Sequence, residues 1–279
     1  MRVFATLLLM ALPLAGPVGA QTIEKIKETQ TITFGFRTDA SPLSLANEEG
    51  NPAGYSPLVC RDLAREIAGD LGIENLTVEF VPVDTSDRFE KVANGEIDLL
   101  CGAATITLSR LEQVDFSLPT YVDGASVMVP VGAAANLLDL KGRKVGFRSA
   151  TTTEQAVENS FAKAGVEIEK FRFNDHEAGI AALMAGEIDA YFADQSILLS
   201  FFINERLENK FAIPDDVLTI EKHGFALRRG DADFRLLVDK GLSRLYASGR
   251  MQQAFATAMP GAKPGVGLQA MYLIAPTLP

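Results

Sequence analysis

The chain has 279 residues, and its 36 acidic side chains outnumber its 26 basic ones, which gives a formal net charge of −10 at pH 7. A surplus of negative charge repels nucleic acid and anionic lipid surfaces, so neither is expected as a partner. Beyond residues 1–20, no stretch reaches the roughly 18 consecutive apolar residues that a membrane-spanning helix needs. The remaining length is sufficient for two domains with cores of their own.

Residues 1–20 have the composition of a secretory signal peptide. Arg2 supplies a positive start, residues 4–14 form an apolar run, and Val18 and Ala20 are compact residues at the −3 and −1 positions of a cleavage site. The run is too short to cross a bilayer, although an N-terminal membrane anchor is the alternative interpretation. We therefore expect export of the chain and cleavage after Ala20.

The predicted elements alternate between strands and helices, which indicates an α/β architecture. In chain order they are strand 31–36, helix 56–70, strand 76–83, helix 85–93, strand 97–101, strand 125–130, strand 144–148, helix 152–164, strand 168–173, helix 177–185, strand 188–193, strand 225–228, a helical region over 234–245 and helix 251–259. Ser56 is predicted to cap the helix that it begins, with Pro57 in the first turn. The tail from Pro260 is rich in glycine and proline and is predicted to be extended.

The tetrapeptide Gly-Glu-Ile-Asp occurs at residues 95–98 and again at 186–189. Each copy follows an amphipathic stretch and leads into an apolar one, so each marks a helix that ends at a glycine before a buried strand. Two similar α/β units predict two similar lobes, and a cleft between lobes can enclose a small ligand. We expect lobe 1 to comprise 21–125 with 226–279 and lobe 2 to comprise 126–225, joined by a hinge of two crossing segments.

The chain contains two cysteines, Cys60 and Cys101. Cys60 lies on the apolar face of helix 56–70, and Cys101 ends a strand that is predicted to be buried, so both side chains are expected in the core of lobe 1. Export makes a disulfide permissible. Two buried free thiols that act as small apolar side chains are the alternative.

Two charged side chains follow the strands of the repeated units, at the strand ends where α/β folds bind ligands. Arg110 comes after strand 97–101 and can clamp a carboxylate through two parallel hydrogen bonds, with Thr105 adding a third. A surface arginine at the start of a short helix is the alternative. Asp194 follows strand 188–193 and can attract an ammonium group, cap the next helix, or do both.

The sequence Thr151-Thr152-Thr153-Glu154 fits a capping box, with Thr151 as the N-cap of helix 152–164. A helix N-terminus offers unpaired N–H groups and the positive end of the helix dipole, which suit an anion. An ordinary helix start explains the sequence equally well. Combined with Arg110 and Asp194, however, Thr151 and Thr152 complete a trap for the two charges of a free amino acid.

Seven segments resemble the type II periplasmic solute-binding proteins for amino acids, the capture components of ABC importers. They are residues 34–37, 54–56, 95–98, 106–110, 114–119, 140–146 and 186–194. The resemblance covers residues 29–259 and implies an α/β, two-lobe periplasmic-binding-protein-like fold (type II) with two hinge crossovers. It also implies a periplasmic protein, expected to be a monomer, that passes a free amino acid to a membrane permease. In that family, the arginine that matches Arg110 holds the α-carboxylate and the aspartate that matches Asp194 holds the α-amino group.

Within this family, the chain is most similar to the glutamate/aspartate-binding branch. Arg37, Thr85, Arg88 and His176 match residues of that branch, and their cationic groups would suit a side-chain carboxylate. Ala103 stands where the branch has a serine beside the ligand, which removes a hydroxyl. A polar amino acid such as glutamine is therefore the alternative ligand.

Two of these residues have plainer interpretations. His176 could be a solvated loop histidine, and Arg88 could pair with Asp84 or Asp87 on the surface. His176 and His223 are the only histidines in the chain and do not have metal-ligand spacing, so we expect neither a metal nor another cofactor.

An enzyme on the same fold is the competing function, because periplasmic cyclohexadienyl (prephenate/arogenate) dehydratases resemble these binding proteins. Such chemistry needs a general acid beside the bound ring, and the sequence assigns no residue to that role, although Glu154 or Asp175 could be tested for it. The absence of tryptophan and the polar set of predicted site residues favour a charged aliphatic ligand, so we expect a binding protein and not an enzyme. A sensory protein would be expected to carry a fused membrane or catalytic domain, which the sequence does not indicate.

Overall fold

The computed structural model describes residues 21–133 and 136–275, and the predicted signal peptide in residues 1–20 lies outside them. In chain order the elements are α1 (Gln21–Thr29), β1 (Thr31–Arg37), β2 (Asp39–Ala40), β3 (Ser44–Ala46), β4 (Pro52–Ala53), α2 (Tyr55–Leu71), β5 (Thr77–Val83), α3 (Arg88–Asn94), β6 (Leu99–Leu100), α4 (Leu108–Leu111), β7 (Val114–Asp123), β8 (Ala125–Pro130), β9 (Lys144–Arg148), α5 (Thr152–Ala164), β10 (Glu169–Phe173), α6 (His176–Met184), β11 (Ala190–Asp194), α7 (Gln195–Asn204), β12 (Phe211–Ala212), β13 (Glu221–Arg228), α8 (Ala232–Ala247), α9 (Arg250–Ala258) and α10 (Val266–Ile274). Within the two described stretches, no helix combines the length and apolar character needed to cross a membrane.

Two five-stranded sheets of like topology define the two lobes. Sheet 1, in lobe 1, has the order β5-β1-β6-β13-β7, and sheet 2, in lobe 2, has the order β10-β9-β11-β8-β12. In each sheet three neighbouring strands run parallel, and the fourth, β13 or β8, runs antiparallel to them. The chain passes from sheet 1 to sheet 2 between β7 and β8 and returns through β13, so the predicted two-lobe α/β class with two crossings is confirmed.

The repeated tetrapeptide has the same structural role in both lobes. The backbone N–H of Asp98 donates to Thr33 O at 2.8 Å, and the N–H of Thr33 donates back to Asp98 Oδ2 at 2.8 Å. Asp189 and Lys144 exchange the same two bonds, each also at 2.8 Å. The last residue of each copy therefore ties the incoming chain to the neighbouring parallel strand of its own sheet, β1 in lobe 1 and β9 in lobe 2.

Replacing these two aspartates should destabilise the protein to different extents. The side chain of Asp98 is 3% exposed and also pairs with Lys25 at 2.8 Å, whereas the side chain of Asp189 is 42% exposed. Asp98→Ala leaves a buried N–H without its charged acceptor, so we expect a loss of about 2 kcal/mol in the free energy of unfolding, against about 1 kcal/mol or less for Asp189→Ala. Urea denaturation of the two variants measures the difference, and an equal or larger loss for Asp189→Ala would contradict it.

The core of lobe 1 includes a disulfide between Cys60 on α2 and Cys101 just after β6, with the two Cα atoms 6.3 Å apart. The alternative of two free thiols is therefore wrong. Both half-cystines are fully buried, and they lie among apolar side chains of β1, α2 and α8 that include Phe34, Leu63 and Phe234. The bond holds α2 against the end of β6, and from there the chain runs towards the cleft between the lobes.

Helix α2 begins one residue earlier than predicted, so the assignment of Ser56 as its N-cap is wrong. Gly54 takes that position with φ of 96° and no side-chain cap, and a Cβ there would lie 2.7 Å from Pro42 O. Only glycine fits this close approach with a positive φ. The backbone N–H of Ser56 donates to Leu43 O at 2.8 Å instead.

The prediction of an extended tail from Pro260 is also wrong, because residues Val266–Ile274 form helix α10. Leu268, Met271 and Tyr272 are buried against the rest of lobe 1, at the i, i+3, i+4 spacing of a helix face. The many glycine and proline residues in 260–267 favoured an extended tail over the short helical period of α10.

Candidate functional site

A small cavity lies between the two lobes. Its lining residues are Arg37, Arg88, Ala103, Thr105 and Arg110 from lobe 1, and Thr151, Thr152, Thr153, His176, Asp194 and Ile197 from lobe 2. Most of them lie within a few residues of the carboxyl end of a parallel strand, where open α/β sheets bind ligands. All the residues predicted to bind ligand are in this lining except Thr85.

Arg88 and Arg110 are the two cations of the cavity without an acidic partner. Neither guanidinium lies within 4.0 Å of a carboxylate oxygen of the described chain. Arg88 Nη1 donates to Ala103 O at 3.0 Å, and Arg110 Nη1 donates to Thr105 O at 2.8 Å. Arg88 is 2% exposed and its Nε has no hydrogen-bond partner among residues 21–133 and 136–275. The suggested surface pairing of Arg88 with Asp84 or Asp87 is therefore wrong.

The environment of these two arginines penalises their charge. Burial, followed by the positive charges of Arg110 and Arg37, holds the pKa of Arg88 well below its ordinary value. Burial also lowers the pKa of Arg110 to about 10, although Glu221 and Asp194 oppose the shift. An anion that enters the cavity would therefore relieve an electrostatic cost that the protein bears without it.

Arg37 also lines the cavity, but its charge is already balanced. Its Nε and Nη2 donate to Asp39 Oδ1 at 2.8 and 2.7 Å, and Arg148 Nε of lobe 2 donates to Asp39 Oδ2 at 2.5 Å. Burial alone would raise the pKa of Asp39, but the charges of Arg37 and Arg148 outweigh it and lower this pKa to about 2. Asp39 thus remains ionised and bridges two arginines from opposite lobes.

Arg148 makes further contacts across the cleft. Its Nη1 donates to Thr85 Oγ1 at 2.7 Å, its Nη2 lies 3.4 Å from Asp84 Oδ2, and Thr85 Oγ1 lies 3.1 Å from Ser149 O. Thr85 therefore belongs to this contact between the lobes and not to the cavity lining. No role was predicted for Arg148 or Asp39, although Arg148 ends strand β9 at the same kind of position as Asp194 at the end of β11.

Replacement of Arg148 should favour separation of the lobes. When the lobes are in contact, Arg148→Met leaves Thr85 and one oxygen of Asp39 without their charged partner. This loss should destabilise the contact between the lobes by about 1–3 kcal/mol. We expect a larger radius of gyration by small-angle X-ray scattering of the ligand-free protein. Arg172→Met is the matched control, because Arg172 pairs with Glu154 and Glu158 within lobe 2. Equal radii for the two variants would refute this role of Arg148.

Asp194 has the position of an N-cap for α7, but its side chain makes no capping hydrogen bond, so the alternative role as a helix cap is wrong. Asp123, at the end of β7, accepts hydrogen bonds from the N–H of Ser196 at 3.3 Å and from Ser196 Oγ at 2.5 Å. Asp194 Oδ1 instead accepts a bond from Thr153 Oγ1 at 3.2 Å, and Oδ2 lies 3.7 Å from His223 Nε2. Its carboxylate is therefore left to face the cavity.

The start of α5 has the predicted capping interactions with one shift. Thr151 Oγ1 accepts from the N–H of Glu154 at 3.1 Å, and Glu154 Oε2 accepts from the N–H of Ala150 at 2.9 Å, one residue before the expected donor. The hydroxyls of Thr152 and Thr105 both donate to Glu221 Oε2, at 2.8 and 2.6 Å. Glu221, on the returning strand β13, was missed because these two threonines come from different lobes.

His176 is the first residue of α6 and is 3% exposed, so the alternative of a solvated loop histidine is wrong. Burial, together with the positive charge of Arg37, lowers the pKa of His176 to about 3 despite the nearby Asp39. The ring is therefore neutral near pH 7. Its Nδ1 lies 3.1 Å from the Tyr191 hydroxyl, whereas Nε2 has no hydrogen-bond partner within the described part of the chain.

A two-lobe α/β fold with polar groups gathered between the lobes is the architecture of a type II solute-binding protein. The chain belongs to the bacterial extracellular solute-binding proteins, family 3, and the model of this family matches residues 32–259. Together with the relatives below, this membership identifies a solute-binding protein and not an enzyme.

The chain is similar to binding proteins for several amino acids. The L-glutamate/L-aspartate-binding protein of Pseudomonas aeruginosa is 31% identical over 266 residues, which cover 91% of this chain and 87% of that protein. The ABC transporter glutamine-binding protein GlnH of Bacillus subtilis is 27% identical, with 90% of this chain and 92% of that protein covered. A solved ABC uptake transporter substrate-binding protein from Streptococcus pneumoniae with bound histidine has a TM-score of 0.77 at 19% identity, over 89% of this chain and 99% of that one, which shows the fold alone.

Proposed function

We propose that this protein captures a free acidic amino acid, glutamate or aspartate, in the periplasm and delivers it to the permease of an ABC importer. The observation that carries the proposal is the charge balance of the cavity. Arg88 and Arg110 lack carboxylate partners among the described residues, and Asp194 makes only a hydroxyl hydrogen bond and a 3.7 Å approach to a histidine. An acidic amino acid, with two carboxylates and one ammonium group, complements these three charges.

The proposed pose follows from the positions of the charges. Arg110 and the free N–H groups at the start of α5, next to Thr151 and Thr152, hold the α-carboxylate. Asp194 holds the α-ammonium group from lobe 2. Arg88 and His176 hold the side-chain carboxylate. Each charge-assisted bond contributes about 1.5–3 kcal/mol, so the set is sufficient for micromolar affinity, about −8 kcal/mol, after ordering costs.

The same proposal includes the mode of action of the lobes. We place lobe 1 in residues 21–125 and 226–279 and lobe 2 in residues 126–225, with residues 1–20 removed on export and the mature chain acting as a monomer. Because the ligand would contact both lobes, it favours the closed arrangement over the open one. The name of the P. aeruginosa relative supports the acidic ligand, and that of the B. subtilis relative keeps glutamine as the second candidate.

A ligand screen tests the proposal directly. The purified protein is heated with each of the twenty amino acids, and those that raise the melting temperature are titrated by calorimetry; a ligand present at about 100 times its Kd adds about 2.7 kcal/mol of stability. Glutamate or aspartate should give the largest rise. Asp194→Asn should abolish the response, whereas the control Asp189→Asn, at the other end of β11, should keep it. A response to neutral or basic amino acids alone would refute the acidic ligand.

A further inference from the structure

Tyr191 is a buried phenol that contacts His176 beside the cavity. Its side chain is fully buried, and the two rings meet edge to face at 89° with their centroids 6.1 Å apart. Its hydroxyl lies 3.1 Å from His176 Nδ1, and this is its one hydrogen-bond contact within residues 21–133 and 136–275. From the sequence, Tyr191 was predicted only to be part of an apolar strand.

The backbone of α6 is shaped to admit this phenol. A Cβ on Gly179, three residues after His176, would lie 2.1 Å from Tyr191 Cε2 and 2.8 Å from its hydroxyl oxygen. Only a residue without a side chain lets the helix approach the ring so closely. The tyrosine is therefore seated against the first turn of α6, with its hydroxyl directed at the ring of His176.

Hydrogen-bond satisfaction selects the direction of this bond. A neutral imidazole has one N–H donor and one acceptor nitrogen, and a phenol has one O–H to donate. If Nδ1 carried the proton, the buried Tyr191 O–H would have no acceptor, and His176 Nε2 would be a second unsatisfied group. If Tyr191 donates to Nδ1, its O–H is satisfied and the proton of His176 is on Nε2. The second arrangement leaves fewer buried groups unpaired, so the Nε2-protonated form of His176 is favoured.

We propose that Tyr191 is a positioning residue that fixes His176 as its Nε2–H tautomer, so that the cavity prefers a side-chain carboxylate to a carboxamide. The inference rests on the proposed function, in which Arg88 and His176 face the distal end of the ligand. Both groups are then hydrogen-bond donors. A carboxylate offers acceptor oxygens to both donors. The NH₂ of glutamine or asparagine is itself a donor, so it could not accept a hydrogen bond from either of them. With the proton on Nδ1 instead, Nε2 would accept from that NH₂ and favour the amide.

The tautomer is measurable without any ligand. The chain has two histidines, so a two-bond ¹H–¹⁵N correlation spectrum of histidine-labelled protein contains two ring systems, and His223→Gln identifies the signals of His176. We expect the Nε2-protonated pattern for His176 in the ligand-free wild-type protein. An Nδ1-protonated or averaged pattern would overturn the inference. This spectrum decides the tautomer even if the variants below do not fold.

The effect on selectivity is measured by calorimetry with glutamate and glutamine. Tyr191→Phe removes the hydroxyl and keeps the ring, so the ratio of Kd for glutamine to Kd for glutamate should fall at least tenfold. Tyr246→Phe is the control, because its hydroxyl donates to Pro119 O in lobe 1 at 2.6 Å and takes no part in the cavity. An unchanged ratio in Tyr191→Phe, with glutamate still bound, would reject the role of Tyr191. If the wild-type protein bound neither amino acid, the proposed function would fail, and the spectrum would still test the tautomer.

Discussion

Arg110→Ala should weaken binding of the amino acid by about thirtyfold or more. Truncating one partner of a desolvated, hydrogen-bonded charge pair costs about 2–5 kcal/mol, and each 1.4 kcal/mol is a factor of ten in Kd. Arg110 is anchored by Thr105 O at 2.8 Å, and its guanidinium lies 5.1 Å from the centroid of the Phe89 ring. Isothermal titration of the ligand from the screen gives the loss.

Arg229→Ala provides the matched control for this loss. Arg229 is also in lobe 1, and its Nη1 donates to a backbone carbonyl, Glu112 O, at 2.9 Å, but it is exposed and remote from the cavity lining. We expect the Arg229→Ala variant to bind the amino acid with the same affinity as the wild-type protein. Thermal melting of both variants separates lost binding from lost folding. Binding by Arg110→Ala within a few-fold of wild type would exclude Arg110 as the carboxylate ligand.

Removal of the disulfide should cause a large loss of stability. Cys60 and Cys101 are separated by 41 positions, and a loop of this length restricts the unfolded chain by about 4 kcal/mol in the chain-entropy model. The double variant Cys60→Ala/Cys101→Ala should therefore lose about that much free energy of unfolding in urea. The wild-type protein kept in a strong reductant is the companion measurement, since it breaks the same bond without creating space in the core. A loss below 1 kcal/mol in both experiments would show that the bond contributes little.

Local signals explain what the sequence predicted well. Helix 152–164 and strands 125–130 and 144–148 match the structure residue for residue, because their ends are set by a threonine cap, a terminal glycine and changes of apolar period. The repeated Gly-Glu-Ile-Asp segments predicted the two lobes for the same reason. Arg110 and Asp194 were found because each follows a strand, where the fold itself restricts the position of a side chain.

Contacts between distant segments explain what was missed. Asp39 and Arg148 are separated by 109 positions, and Glu221 is 116 positions from Thr105, so no periodicity or capping pattern could relate them. The alternative capping role of Asp194 is wrong for a similar reason: Asp123 is 73 positions from Ser196, yet it accepts the hydrogen bonds that a capping Asp194 would have accepted. In each case the partners are neighbours only in the folded structure, and local sequence patterns carry no information about such contacts.

The placement of β13 sets an order in which the two halves of the molecule can be completed during synthesis. Sheet 2 is made from β8 to β12, one uninterrupted length of chain, so all its strands are available before residue 221 leaves the ribosome. Sheet 1 has β13 between β6 and β7, and the facing edges of those two strands remain unpaired until residues 221–228 have been made. Unpaired strand edges invite association with other chains. Sheet 1, whose first strands are synthesised before any strand of sheet 2, is thus the last sheet to be completed. The nascent protein depends on residues 221–228 to pair the aggregation-prone edges of β6 and β7.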